Sequence, residues 1–179
     1  MRALRTLALL PLLLLSLLIA NPAAAESLYQ VEVIVFRQNA EQLPAARPAP
    51  DDWAQGAQPI GPDQERATTL DSEASKLNPG NGYQVLLHKA WAQPIGAAPG
   101  SLALSTGDEQ FGHFPVEGTL TLKQDGLIDL EANLWINQFD ESGLLNSSEL
   151  FKHSIRLQNG ELTFLDHGSL GMLVRVRSL

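Results

Sequence analysis

Cysteine is absent from the 179-residue sequence, and basic residues are scarce. Without cysteine the chain has no disulfide framework, Cys-ligated zinc site, iron–sulfur cluster or thiol nucleophile. The 12 Lys and Arg residues are outnumbered by 20 Asp and Glu residues, and the formal net charge is -8. Because a nucleic-acid partner requires a basic surface, this balance argues against one. Hydrophobic residues nevertheless make up 44% of the sequence, and the length fits one folded domain.

One long hydrophobic run is present, over residues 7–20. Two arginines precede it, an Asn-Pro pair ends it, and three alanines ending at Ala25 form a small-residue cleavage pattern. These features predict a secretory signal peptide over residues 1–25, cleaved after Ala25. The run is shorter than the about 20 apolar residues that cross a bilayer. We therefore expect an exported protein that is not transmembrane after cleavage, with a single domain over residues 26–179. In a Gram-negative cell its compartment is the periplasm.

The first half of the exported chain mixes regular and irregular sequence. Residues 29–36 are mostly β-branched or aromatic and are apolar on both faces towards one end, which predicts a strand in the centre of a sheet. Residues 39–62 are rich in Pro and Ala and predict a long surface loop. Residues 63–77 carry apolar side chains three and four positions apart and predict a short amphipathic helix. Residues 83–91 predict a second strand, which Pro94 ends.

The second half alternates between apolar and polar residues, which predicts antiparallel hairpins. In the first hairpin, a three-residue loop Gln124-Asp125-Gly126 places Leu122 opposite Ile128, so that both lie on the apolar face. In the second, a two-residue turn at Asn159-Gly160 pairs the strands on either side of it. The elements together predict an α+β fold that is mainly antiparallel β, with one curved or partly closed antiparallel sheet of about six strands and one or two short helices.

The sequence contains no residue pattern that identifies an enzyme. The four histidines, His88, His113, His153 and His167, lack the spacing of a local metal site. Ser169 lies outside a nucleophile-elbow motif, and no phosphate-binding or dinucleotide-binding glycine motif is present. Asp and Glu are numerous, but most occupy outward strand positions or loops, where exposure to solvent accounts for them. We therefore predict no catalytic residue, no metal ligand and no cofactor.

Two surface features are candidates for binding. Arg175 and Arg177 share the outward face of the last strand, and Arg156 lies outward on the preceding hairpin. Such arginines bind anionic groups, for example the carboxylates of cell-wall peptides or an acidic patch on a partner. The alternative is pairing with neighbouring Asp and Glu. Trp135 falls on the polar face of its strand, where it could contact a sugar or a protein, or be buried under the 39–62 loop or the helix.

Three stretches of the sequence carry a family resemblance. The first is Tyr29-Gln30-Val31-Glu32-Val33-Ile34-Val35-Phe36-Arg37, the second is Tyr83-Gln84-Val85-Leu86-Leu87-His88-Lys89-Ala90-Trp91-Ala92-Gln93-Pro94, and the third is Gly160-Glu161-Leu162 to Asp166-His167 followed by Leu170-Gly171-Met172-Leu173-Val174. In this order and spacing they resemble the CsiV family of Gram-negative periplasmic proteins. We expect the motif positions to be structural, and they are Tyr29, Glu32, Phe36, Arg37, His88, Trp91, Gln93, Pro94, Asp166 and His167.

The resemblance implies a peptidoglycan-binding protein that is not an enzyme. At least one member of the family supports peptidoglycan synthesis together with a lipoprotein activator of a bifunctional penicillin-binding protein. We therefore expect a non-catalytic protein that binds peptidoglycan or supports the peptidoglycan-synthesis machinery, in cell shape and envelope integrity. One alternative is an adaptor that contacts only the penicillin-binding protein or its activator, through an exposed edge of the first or last strand. The other is a cell-wall hydrolase built on His88, His153 or His167.

Overall fold

Strands make up most of the chain that the structure, a computed structural model, describes: residues 27–179. In chain order they are β1 (Ser27–Gln38), β2 (Gln58–Pro59), β3 (Tyr83–Ile95), β4 (Gly100–Thr106), β5 (Val116–Asp125), β6 (Leu127–Phe139), β7 (Leu145–Leu157), β8 (Leu162–His167) and β9 (Leu170–Ser178). A short helix, α1 (Asp71–Lys76), and a 3-10 turn at Pro79–Asn81 lie between β2 and β3. Within the described residues, no helix combines the length and the apolar character needed to cross a membrane. The predicted signal peptide, with its cleavage after Ala25, falls outside the described residues.

The strands form two sheets. Sheet A has the order β3-β1-β9-β8, and sheet B has the order β2-β4-β5-β6-β7. Apart from β2, which pairs in parallel with β4, neighbouring strands are antiparallel. The predicted class, mainly antiparallel β with little helix, is confirmed. The single curved or partly closed sheet that was predicted is wrong, because the strands are divided between two open sheets. The central position predicted for β1 is also confirmed, whereas the free edge expected on the first or last strand is wrong, because β1 and β9 are both internal.

A core between the two sheets holds them together. Sheet A contributes alternate side chains of β1 and β9, such as Val33 and Val174, and also Trp91 of β3. Sheet B contributes the apolar face of β5 and β6, including Leu120 and Leu134. These five side chains are completely buried. The face of each sheet that points away from this core is called its outer face below.

A second, smaller cluster covers part of the outer face of sheet A. Ile34 and Phe36 of β1 point to this side, and Leu70, directly before α1, packs over them. All three are at most 3% exposed. Strand β1 is therefore buried on both faces, as its apolar pattern predicted.

The first predicted hairpin is present, but its register differs. β5 and β6 pair with Leu122 opposite Leu130 and not opposite Ile128. The turn is centred on Gly126, whose φ is 82°, so the loop lies one residue later than predicted. Because this changes the pairing by two residues, every side chain stays on its predicted face.

The second predicted hairpin is wrong. β7 pairs with β6 and β8 pairs with β9, so the Asn159-Gly160 turn carries the chain from sheet B to sheet A. The turn is anchored on β9, because the Gly160 amide donates to the Val176 carbonyl at 2.7 Å and the Ser178 amide donates to the Asn159 side chain at 2.9 Å. An Asn-Gly pair specifies a local turn, but the partners of the flanking strands are decided by packing over longer distances.

The helix predicted over residues 63–77 is too long, since α1 begins only at Asp71. Asp63 and Gln64 belong to a turn, and the chain then passes beside β3, where the Arg66 amide donates to the Ala90 carbonyl at 2.9 Å. The Thr69 amide then donates a hydrogen bond to the carboxylate of Glu32 at 2.8 Å. These long-range hydrogen bonds override the local helical periodicity.

Strand β3 continues past its predicted end and includes Pro94, which pairs with Leu28 of β1. Proline has no N–H to donate to a neighbouring strand. It is tolerated here because β3 lies at the edge of sheet A, where one missing donor does not interrupt a central ladder.

Gly118→Ala tests a close approach between two strands. Gly118 lies on β5 with a φ of 147°, and a Cβ there would collide with the carbonyl oxygen of Asn133 on β6. We expect the substitution to lower the free energy of unfolding by about 3 kcal/mol in a urea titration, since strain and overpacking add. Gly100→Ala is the matched control, because the nearest atom to its added Cβ is 3.7 Å away. Its free energy of unfolding should stay within about 0.5 kcal/mol of the wild-type value. An equal loss of stability in both variants would contradict the close approach between β5 and β6 at Gly118.

Candidate functional site

Glu32, a motif residue of β1, is the centre of a buried hydrogen-bond network on the outer face of sheet A. It is 1% exposed. Its carboxylate accepts from the amides of Thr69 and Leu70, each at 2.8 Å, and from the Thr69 hydroxyl at 2.5 Å. His88 of β3 lies 2.9 Å from the same carboxylate, and Arg175 of β9 lies 3.8 Å from it. The network connects three strands of sheet A to the segment that leads into α1.

The pKa of Glu32 reflects two opposing influences. Burial raises it, but the hydrogen bonds from the Thr69 hydroxyl, from His88 and from the two backbone amides together outweigh burial. The net result is a pKa below the ordinary value of 4.5. The carboxylate is therefore ionised at neutral pH, and its charge is stabilised inside the protein.

Two further motif residues on β1 connect the sheets at opposite ends of the core. The Tyr29 hydroxyl donates to the side chain of Gln124 on β5 at 2.9 Å. At the other end, Arg37 pairs with Glu149 of β7 at 2.6 Å. The second oxygen of Glu149 accepts from the Ser169 hydroxyl at 2.5 Å. The Glu149 side chain is 5% exposed, so the opposite charge of Arg37 offsets part of the cost of removing its charge from water. Within the described residues, Oε1 of Glu149 and Nη1 of Arg37 are buried without a hydrogen-bond partner.

The remaining motif residues are divided between the interior and the surface. Trp91 is completely buried, and its indole N–H donates to the side chain of Gln93 at 2.6 Å. Phe36 is 3% exposed. The three that lie on the surface are Pro94, Asp166 and His167. The buried motif residues thus make their bonds inside the protein, and a structural role for the motif positions stays a prediction.

The three candidate arginines do not lie together. Arg175 and Arg177 are on the outer face of sheet A, where each donates a hydrogen bond to a side-chain oxygen, at 2.5 and 2.7 Å. Arg156 is on the outer face of sheet B, because its neighbours Ile155 and Leu157 point into the core. The core separates the two faces, so the expected cluster of all three is wrong. The cause is the incorrect hairpin, which had placed β7 in the same sheet as β9.

Trp135 is half-buried on the outer face of sheet B, beside a covered region. The Pro/Ala-rich segment lies over this end of the face. Its Ala45 amide donates to the Ser148 carbonyl at 2.7 Å, and its Ala49 amide donates to the Ser148 hydroxyl at 2.9 Å. These bonds place the segment beside Ser148, two residues along β7 from Leu150, which lies opposite Trp135.

A buried polar network lies under the same cover and was missed from the sequence. Alternation had placed Glu117 in solvent, but it is 0% exposed. It lies 2.7 Å from His113 Nδ1 and accepts from the side-chain amide of Asn137 at 2.8 Å. The Ser148 hydroxyl donates to the side-chain oxygen of Asn137 at 2.6 Å. Every member bonds within the protein, so the network secures the covering segment.

The opposite end of this face is open and forms a groove of about 550 Å³, called the sheet-B groove below. β5, β6 and β7 supply its floor, and Pro99 from the connection between β3 and β4 contributes to its side. The polar side chains that line it are Thr121, Lys123, Asp129, Glu131, Ser154 and Arg156.

A row of three charges crosses the sheet-B groove. Asp129 of β6 lies between Lys123 of β5, at 3.4 Å, and Arg156 of β7, at 3.1 Å. The lysine and arginine side chains are 47% and 74% exposed. Two cations thus share one carboxylate, and the excess positive charge is accessible from solvent. Cross-strand pairing, the alternative expected for Arg156, is present, but it leaves most of the guanidinium free.

The histidines do not form a common site. His88 belongs to the Glu32 network of sheet A, and His113 is buried in sheet B. The rings of His153 and His167 are 5.5 Å apart, and His153 Nε2 lies 3.0 Å from the backbone oxygen of Asp166. Over residues 27–179, no group of three or more His, Asp or Glu side chains is placed to hold a metal ion.

Sequence reasoning placed Lys123, Asp129 and Glu131 on an outward face but did not assign them to a site. The missing fact was the position of β7 beside β6, which brings Arg156 opposite Asp129. Complementary charges at opposed positions of two alternating strands are the pattern that could have indicated this pairing.

Comparison with known proteins gives one family. A family model described as peptidoglycan-binding protein, CsiV, matches residues 6–68 and 58–179. No curated protein and no solved structure matches the chain. The family match includes all three stretches on which the sequence resemblance rests.

Glu32→Gln tests the network at the centre of sheet A. A folded-state pKa below the ordinary value means that the ionised carboxylate contributes stability above about pH 4.5, which is lost as the pH falls through the folded-state pKa. We expect the variant to be less stable at neutral pH by about 2 kcal/mol and to lose less stability than the wild type on acidification. Urea titrations at several pH values between about 7 and 3 measure both effects.

The control is Glu161→Gln, at an exposed position between β7 and β8. It should preserve both the stability at neutral pH and the acid dependence of the wild type. A Glu32→Gln variant with the wild-type acid dependence would show that this carboxylate does not contribute in the way its contacts indicate.

Proposed function

The chain belongs to the CsiV family of peptidoglycan-binding proteins, and we propose that it binds peptidoglycan through the sheet-B groove. The observation that carries the proposal is the open groove crossed by Lys123 and Arg156, which share a single carboxylate. Peptidoglycan stem peptides carry carboxylates, and exposed guanidinium and ammonium groups bind them through charge-assisted hydrogen bonds. The lining also contains the hydroxyl groups of Thr121 and Ser154, which suit a hydrated polymer.

The outer face of sheet A is less suited to this role. Arg175 and Arg177 already donate hydrogen bonds to Thr69 and Gln30. Leu70 and α1 cover the apolar part of the face. Its polar groups mainly bond one another, so fewer are available for a ligand.

The proposed setting is the periplasm, reached through the signal peptide predicted over residues 1–25, with residues 26–179 acting as one domain. The family match supports this setting, because peptidoglycan lies in that compartment. The proposed role is non-catalytic, since no histidine lines the groove and neither hydroxyl group of its lining donates a hydrogen bond to a carboxylate in the described residues. A wall-binding protein of this kind would support the peptidoglycan-synthesis machinery, and with it cell shape and envelope integrity.

A second candidate function is contact with a protein of that machinery, such as a penicillin-binding protein or its lipoprotein activator. Strand β8 is at the edge of sheet A, and its Phe164 is 52% exposed. An edge strand with an exposed aromatic side chain is suited to accept a strand from a partner. This observation favours an adaptor role in addition to, or instead of, wall binding.

Co-sedimentation of the purified protein with protein-free sacculi tests the first function. We expect saturable binding that weakens as salt is added, because exposed charges contribute to it. The double variant Lys123→Ala/Arg156→Ala should bind at least about tenfold more weakly, since charge-assisted hydrogen bonds are lost. Its remaining binding should also depend less on salt.

The matched control removes one lysine and one arginine from the other side of the molecule, as Lys76→Ala/Arg177→Ala. It should sediment like the wild type. Equal weakening of both double variants would mean that overall charge, and not the groove, attracts the wall. A wild-type protein that sediments only when a partner protein is added would overturn wall binding in favour of the adaptor.

A further inference from the structure

We propose, building on the function proposed above, that the sheet-B groove recognises a zwitterionic α-amino acid end, in which an ammonium group and a carboxylate share one carbon. In peptidoglycan this chemistry belongs to the diamino acid of a stem peptide that has not been cross-linked. The proposal rests on two adjacent rows of side chains with opposite net charge.

The first row attracts the carboxylate. It contains Lys123, Asp129 and Arg156, and therefore has an excess of one positive charge. Arg156 contacts Asp129 through Nε at 3.1 Å, and no residue among 27–179 accepts a hydrogen bond from its two terminal nitrogens, so both remain available to a ligand. A guanidinium in this state can bind a carboxylate through two parallel hydrogen bonds.

The second row attracts the ammonium group. Glu131 lies two residues after Asp129 on β6, and the residues opposite it are Thr121 on β5 and Ser154 on β7. Its side chain is exposed in the groove, and no residue among 27–179 donates a hydrogen bond to its carboxylate or forms an ion pair with it. This row therefore presents one free negative charge between two hydroxyl groups.

The spacing of the rows fits a compact zwitterion. Two residues along a strand span about 7 Å, and the flexible side chains of Glu131 and Arg156 can converge from that separation on two groups of one ligand carbon. The reversal of charge over so short a distance would repel a simple anion or cation from one of the two rows.

A sugar ring is a poorer occupant of the groove. None of its lining residues is aromatic, whereas sugar rings are commonly bound by stacking on aromatic side chains. Trp135 is on the same strand, but four residues beyond Glu131, which corresponds to about 13 Å. It also lies beside the covered end of the face, so it is outside the groove.

Recognition of both charges would make binding sensitive to cross-linking. When the side-chain amine of the diamino acid is joined to a neighbouring peptide, it becomes a neutral amide and loses the charge that Glu131 attracts. The protein would therefore prefer wall regions with uncross-linked stem peptides, although the glycan is the same everywhere.

Three soluble tripeptides test the inference. All begin with L-Ala-γ-D-Glu, and the third residue is meso-diaminopimelate, meso-diaminopimelate acetylated on its distal amine, or L-Lys. The second peptide lacks the distal ammonium charge, and the third lacks the distal carboxylate. We expect isothermal titration calorimetry to show binding of the first, with the other two at least about tenfold weaker.

Glu131→Gln separates the contribution of the second row. It should lower the affinity for the meso-diaminopimelate tripeptide about tenfold. The variant should then bind this peptide no more tightly than the acetylated tripeptide, but still more tightly than the L-Lys tripeptide. Glu161→Gln, which removes an exposed carboxylate outside the groove, should bind all three peptides as the wild type does.

The outcomes distinguish this inference from the function on which it rests. Equal affinity for the three tripeptides would overturn the zwitterion assignment, as would the absence of peptide binding by a protein that still sediments with sacculi. In both cases wall binding would remain, and its target would be the shared L-Ala-γ-D-Glu part of the stem peptide in the first case and the glycan in the second. A wild-type protein that fails to sediment with sacculi would instead overturn the proposed function itself.

Discussion

The burial of β1 on both faces is the constraint on which the rest of the structure depends. Its odd-numbered residues point into the core between the sheets, and its even-numbered residues point towards the segment before α1. A polar side chain on such a strand is tolerated only with a partner, because an uncompensated buried charge costs several kcal/mol. Glu32 has the Thr69 segment and His88, and Arg37 has Glu149. The motif residues of β1 therefore require particular partner residues on other elements, in addition to forming a strand.

This arrangement also separates structure from binding. Sheet A uses its outer face for internal bonds, and the Pro/Ala-rich segment with the Glu117 network occupies one end of the outer face of sheet B. The remaining end of sheet B has charged and hydroxyl side chains that the fold does not need for burial. Changes in that groove can therefore alter ligand choice at little cost to stability, which is the situation expected of a binding surface on a rigid scaffold.

The sequence predicted those features that depend on local periodicity. The two-sided apolar pattern of β1 indicated a central strand, and alternation placed the side chains of β5 and β6 on the correct faces. Pairing over long distances was not predictable in this way, because alternation defines a face and not a neighbour. The Asn159-Gly160 turn was therefore taken for a hairpin, and the error moved Arg156 to the wrong side of the molecule. Glu117 was missed for a related reason, since only the covering loop makes its outward position a buried one.

The place of the last strand has a consequence for how the chain reaches this structure. β9 lies between β1 and β8, so one side of β1 has no neighbour until the final residues are available. The pairing of β1 with β3 and with β9 joins segments far apart in the sequence, and long-range pairing of this kind forms slowly. During that interval an apolar strand with unpaired backbone groups is open to intermolecular association.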